Sequence, residues 1–230
     1  TWTATDSSGN SASATQTVTV VDTTSPVLLV PESVTKEAIN IEANPVKIGI
    51  SEAIDIVEVS SITNDAPEVF PLGETIVTWT ATDSSGNSAS ATQTVTVVDT
   101  TAPILNTPQN ITFDTESIDT ILEIGLASVN DIIDDAPSIT NDAPEAFPLG
   151  ETIVTWTATD KFGNTSSATQ TISVQVCGNS PSSYNMIVGT DDDDLLIGTT
   201  MADLIFAKAG DDIISADKGN DCIIAGDGDD

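Results

Sequence analysis

Residues 75–98 read TIVTWTATDSSGNSASATQTVTVV. Val77, Trp79 and Ala81 fall on one side of a period of two, and Thr78, Thr80 and Thr82 fall on the other. Alternation of this kind with β-branched residues predicts a half-buried strand. The run 91–98 alternates in the same way, with Val95 and Val97 in phase. Between the two lies DSSGN, Asp83 to Asn87. Gly86 can take positive φ there and the Asp83 carboxylate can accept a backbone N–H across the turn, so the stretch reads as one long hairpin. FPLGE at 70–74 is a further turn leading into it. Short strands between such turns point to a β-sandwich, with Trp79 as a core anchor on its strand.

The hairpin is not unique. TWTATDSSGNSASATQTVTVVDTTSP at 1–26 returns at 78–103 with Ser25 replaced by Ala102, and a variant begins at 155 with Trp156 in place of Trp79. SITNDAPEVFPLGETIVTWTATD at 61–83 returns at 138–160 with Val69 replaced by Ala146. Both offsets are 77 residues, the size of one small domain. The boundaries that follow are 1–22 for the last hairpin of a truncated copy, then whole copies at 23–99 and 100–176. The first halves of the whole copies have diverged, so strand limits are harder to read there. FPLGETIVTWTATDSSGNSASATQTVTVVDTTAP resembles the C-terminal half of a HYR (hyalin repeat) domain. That resemblance implies an immunoglobulin-like sandwich in an extracellular or cell-surface protein, serving adhesion or extension rather than chemistry.

Beyond a linker at 177–188 the pattern changes to nines: GTDDDDLLI, GTTMADLIF, AKAGDDIIS, ADKGNDCII and the incomplete AGDGDD, from 189 to 230. The sixth position is always aspartate: Asp194, Asp203, Asp212, Asp221 and Asp230. In complete units the eighth is apolar: Leu196, Ile205, Ile214 and Ile223. The fourth is glycine in the last three units: Gly210, Gly219 and Gly228. This phase resembles the RTX (hemolysin-type) calcium-binding nonapeptide, which implies a parallel β-roll of two nonapeptides per coil. Its glycines would turn the backbone tightly, and its aspartates with backbone carbonyls would supply the six to eight oxygens that Ca²⁺ requires. Ligands then meet across eighteen residues, pairing Asp194 with Asp212, Asp212 with Asp230, and Asp203 with Asp221. Lys208 and Asp217 stand where glycine is usual, and Asp192 and Met201 replace the fourth-position glycine, so the early units read as a cap or as weak sites.

Charge agrees with a cation-dependent fold. The chain has 36 acidic residues against 5 Lys+Arg and no histidine, for a formal net charge of -31. Basic-patch binding of nucleic acid is excluded, and the missing polybasic signal argues against docking on anionic membranes. No apolar run reaches the roughly 20 residues of a membrane-spanning helix. Carboxylates in the sandwiches have two readings. In an immunoglobulin-like domain the last hairpin loop lies beside the entering linker, bringing Asp22 toward Asp83 and Asp99 toward Asp160. A loop with Asp131, Asp134 and Asp135 in the second copy, or Glu52 and Asp55 in the first, shares that pole. These groups either bind calcium or simply form turns; the absence of a ligand spacing common to both copies weighs toward turns.

Asn110 and Asn164 begin sequons, and Asn164, in an expected hairpin loop, is the more accessible of the two on this reading. Cys177 and Cys222 lie in different modules with no spacing signature, which weighs against a bridge while leaving one open in an oxidising compartment. With no histidine and no nucleophile–base pattern, the chain reads as non-enzymatic. The sequence therefore describes an all-β, calcium-binding, secreted modular surface protein of adhesin type, a piece of a longer chain because it opens and stops inside repeats. Its implied partners are calcium ions and neighbouring copies or other cell-surface proteins. Two alternatives remain at this stage: the non-catalytic part of a larger secreted hydrolase, and a filament subunit assembling by strand exchange.

Overall fold

The computed structural model describes residues 1–230. It is all β apart from one short 3₁₀ turn at Pro181–Ser183, and no helix is long and apolar enough to cross a membrane. The chain divides into two units, Thr1–Asp99 and Thr100–Asp230.

In the first unit the strands Gly73–Asp83 and Ser88–Val98 form the expected hairpin, in register from Gly73 opposite Val97 to Thr82 opposite Ser88. Val59–Asn64 pairs antiparallel with the first of these strands, and Val34–Glu37 pairs parallel with the second. This four-stranded sheet is accompanied by a two-stranded one, Val27–Leu29 with Glu52–Ile54. The period of two sends Val77, Trp79, Ala81, Val95 and Val97 inward, where all are buried. Buried Gln93 organises the polar centre of this face. It accepts from the Trp79 indole N–H at 3.1 Å and donates to the Glu32 and Ile48 carbonyls at 2.7 and 2.9 Å. One amide side chain thus satisfies a buried donor and two carbonyls that lie outside the strands. Trp2–Thr5 and Ser11–Ala14 form a shorter antiparallel hairpin of the same sequence pattern, with Trp2 exposed.

The second unit repeats the design. Gly150–Thr159 and Thr165–Gln175 form the hairpin, flanked by Ser138–Asn141 and by parallel Ile111–Asp114. Trp156 donates to Gln170 at 3.1 Å, and Gln170 donates to the Gln109 and Ile124 carbonyls. Ile124 corresponds to Ile48 at an offset of 76, one less than elsewhere. The first copy is therefore one residue longer between Glu32 and Ile48, a difference recovered before Ser138.

The nonapeptide region winds as a parallel roll. Asn185–Val188, Asp203–Phe206 and Cys222–Ile224 form one sheet; Leu195–Ile197 and Ile213–Ser215 form the other. Every pairing is parallel and offset by eighteen residues, such as Asn185 opposite Asp203 and Leu195 opposite Ile213. Eighth-position Leu196 and Ile205 are buried between the sheets, with Ile214 packed against them, while Ile223 is 47% exposed. The stretch 177–188, expected as a linker, contains the roll's first strand. Its ninefold phase continues backward to put Asn185 at the sixth position, a signal hidden because asparagine replaces the aspartate.

Contrary to the weight of the sequence reading, the cysteines are joined. Cys177 and Cys222 form a disulfide. The modules are distant in sequence but packed in space: Val176, at the end of the sandwich hairpin, is buried with Leu204, Phe206 and Cys222 of the roll, against Ile118, Leu149 and Tyr184. The outer face of the Asp203–Phe206 strand is therefore covered by the sandwich and the segment leading out of it.

Candidate metal centre

Asp203 begins a short strand and Asp194, Asp212 and Asp221 immediately precede one, so each side chain is set at the mouth of a turn that stacks on the turn eighteen residues away. The backbone N–H of Asp194 donates to Asp212 Oδ1 at 2.7 Å, that of Asp203 to Asp221 Oδ1 at 2.9 Å, and that of Asp212 to Asp230 Oδ1 at 3.0 Å. The three expected pairs are thus brought together in space. A parallel ladder runs at the fifth position: Asp211 N–H donates to Asp193 at 2.9 Å and Asp229 N–H to Asp211 at 3.0 Å. That position was not singled out in the sequence, although aspartate recurs there in alternate units.

The turns are tight. At Gly210, with φ of 119°, an added Cβ would lie 2.7 Å from the Asp192 carbonyl oxygen; at Gly228 it would run into the Gly210 carbonyl oxygen. The glycines therefore permit close approach of one coil's backbone to the next, crowding carbonyl oxygens around the aspartates. Lys208 and Asp217 hold positive φ of 80° and 63° where glycine is usual, so the turn geometry survives these replacements.

Asp212 is 4% exposed, and its Oδ2 is buried with no hydrogen-bond partner. A buried carboxylate oxygen without a donor is costly unless a cation meets it. Carboxylates, carbonyls and the orphaned oxygen suit a hard, oxygen-seeking cation such as Ca²⁺. Asp203 contrasts with it. Though fully buried, its carboxylate accepts from Asn185 Nδ2 at 2.7 Å, the Thr199 N–H at 2.6 Å and the Thr199 hydroxyl at 3.1 Å. The Asn185 amide first, then the Thr199 backbone, hold its pKa below the usual carboxylate range. The Asp194 pKa is likewise lowered, by the Thr190 N–H and hydroxyl and then by the Lys208 charge.

In the first sandwich Asp22, Asp55 and Asp83 bring carboxylate oxygens within 4.8 Å of one another. Asp83 Oδ1 also accepts from the Ser85 and Asn87 N–H groups at 2.8 and 2.9 Å, closing the DSSGN turn as expected. Burial works to raise the Asp83 pKa and is outweighed by the Asn87 amide and these N–H donors, leaving it lowered. In the second sandwich Asp131 and Asp160 lie within the same distance of each other. Asp55 and Asp131 are equivalent at the offset of 76, so the copies do share a pattern, masked by two compensating one-residue length changes. Asp99, equivalent to Asp22, closes the first unit. Asp134 is used differently: its carboxylate accepts from the Ala136 and Lys161 N–H groups. Of the sequon asparagines, Asn164 is half-buried and donates to Asp160 at 2.7 Å, whereas Asn110 is exposed. Accessibility therefore favours Asn110, the reverse of the sequence reading.

Tandem immunoglobulin-like sandwiches leading into an aspartate-lined parallel roll define a modular, calcium-binding class of β-protein. The HYR domain model matches residues 21–97 and 98–174, and the RTX calcium-binding nonapeptide repeat model matches 197–230. The chain belongs to the HYR domain family. It is 37% identical over 189 residues to hyalin of Strongylocentrotus purpuratus, covering 76% of this chain and 16% of that protein. It is 36% identical over 208 residues to hyalin of Lytechinus variegatus, covering 81% and 38% respectively. The chain thus spans well under half of either relative. Among solved structures, Drosophila N-cadherin EC1-4 aligns at 16% identity with a TM-score of 0.34, over 66% of this chain and 50% of that one.

Proposed function

We propose that this chain is part of a secreted, non-enzymatic surface protein of adhesive or structural type, in which HYR sandwiches act as spacers and the C-terminal roll completes its folding on binding calcium. The buried, donorless Asp212 Oδ2 carries the reading. Calcium would neutralise the carboxylates of Asp212, Asp221 and Asp230, which lie between coils. The roll's core is too thin to offset conformational entropy of about 1–2 kcal/mol per residue, so ion binding and ordering become one event. The Cys177–Cys222 disulfide supports an oxidising compartment, and so the exterior.

Amide hydrogen exchange of the whole chain tests this. Residues 207–230 are expected to be protected in calcium and to exchange freely in EDTA, while the Trp79 and Trp156 hairpins stay protected in both. Equal protection of the roll after chelation sinks the proposal.

The convergence of Asp22, Asp55 and Asp83 supports a second reading, a cation at the pole of the first sandwich. Three carboxylates at this spacing repel unless a positive charge intervenes. Asp55→Asn would then bind one ion fewer than the parent chain; an unchanged ratio leaves these residues as turn formers.

A further inference from the structure

We infer that the first coil of the roll is a calcium-independent cap, in which Asn185, Thr190 and Thr199 do with protein donors what calcium does in the later coils. The inference rests on the calcium reading above and divides the five sixth-position aspartates into two groups. In Asp212, Asp221 and Asp230 one carboxylate oxygen accepts the N–H of the aspartate one coil earlier, so each carboxylate lies between coils. Asp203 also meets the residue one coil earlier, but that residue is Asn185, whose own backbone N–H donates to the Ala202 carbonyl. There the amide Nδ2 reaches Asp203 Oδ1 at 2.7 Å, delivering partial positive charge where an aspartate would have repelled. Thr199 closes the other oxygen with its N–H at 2.6 Å, and its hydroxyl lies 3.1 Å from both. Asp194 repeats the device through Thr190, whose N–H and hydroxyl donate to Asp194 Oδ2 at 2.6 and 2.9 Å.

The second nonapeptide position decides the difference. It is threonine in the two units that are closed internally and Lys208, Asp217 and Gly226, all at positive φ, in those that follow. A threonine there folds its hydroxyl and N–H onto its own aspartate. A left-handed residue turns the backbone so that the aspartate carboxylate stays unclosed by its own turn. Asp203 and Asp212 show the result: both are buried, one with both oxygens bonded and one with Oδ2 orphaned. The cap sits where the roll meets the sandwich through Val176, Leu204 and Phe206 and where Cys177 reaches Cys222. A preformed first coil therefore presents a finished surface on which later coils add as ions bind.

Calcium counting by titration calorimetry on the full chain, with hydrogen exchange in EDTA, tests the division. Asp221→Asn is expected to lose one ion per chain, whereas Asp203→Asn loses none but abolishes protection of Asn185–Val188 in EDTA. Asn185→Asp, which puts a second carboxylate against Asp203, is expected to gain one ion. Loss of an ion in Asp203→Asn, or an unchanged count in Asn185→Asp, overturns the cap. A parent chain that binds no calcium in the roll overturns the calcium reading instead.

Discussion

Cys177 is disulfide-bonded to Cys222 across 45 residues, tying the segment that leaves the second sandwich to the last strand of the roll. The enclosed segment contains the whole first coil. Cross-linking a loop of this length removes denatured-state entropy worth about 4 kcal/mol on the chain-entropy model. Cys222→Ser is therefore expected to raise the calcium concentration needed to order the roll while leaving the Trp79 sandwich unaffected. A calcium titration monitored by hydrogen exchange, with and without reductant, checks it; coincident midpoints would show that the apolar contact alone anchors the roll.

Glycines separate conformational need from close approach. Gly178 and Gly210 both have positive φ, 73° and 119°, but a Cβ at Gly178 meets nothing within 4 Å while at Gly210 it meets the Asp192 carbonyl. Alanine at either position carries the left-handed cost of about 1–2 kcal/mol. Gly210→Ala should add about 1–3 kcal/mol of overpacking, visible as a lower melting temperature in saturating calcium.

Gln93 and Gln170 bridge their sandwiches from buried positions. Gln93→Ala leaves the buried Trp79 N–H without its acceptor, at about 1–3 kcal/mol, and also removes the bridge to the half-buried carbonyls of Glu32 and Ile48. The expected outcome is a loss of stability in the first sandwich alone, measured by denaturant unfolding followed through tryptophan fluorescence. Trp79→Phe, which removes one donor, should cost less.

Acid sensitivity follows from the turns. The carboxyls of Asp83, Asp160, Asp194 and Asp203 are depressed in the folded state by their donors, burial alone pushing the other way. A depressed folded value means that the stabilisation is complete above the unfolded value of about 3.9 and is lost as pH falls through the lower folded values. Thermal stability in EDTA should therefore be flat from neutrality to about pH 5 and fall below about pH 4. Asp83→Asn should reduce that acid-side slope.

Much of this was written locally. The period of two in TIVTWTATD, the DSSGN turn and the 77-residue repeat specify hairpins whose contacts lie close along the chain. The ninefold aspartate phase likewise specifies an eighteen-residue coil, because register and period are the same quantity in a roll. What the sequence left open depends on contacts between distant segments. Cys177 and Cys222 meet only because the roll docks its Leu204 and Phe206 face near Val176. Asp55 and Asp131 become equivalent only when two offsetting length changes are folded out as loops. Asn185 declares itself part of the roll only by pairing with Asp203. Periodicity encodes the local ladder, whereas which carboxylates are closed by protein donors and which still need a cation is decided by what tertiary packing places opposite each one.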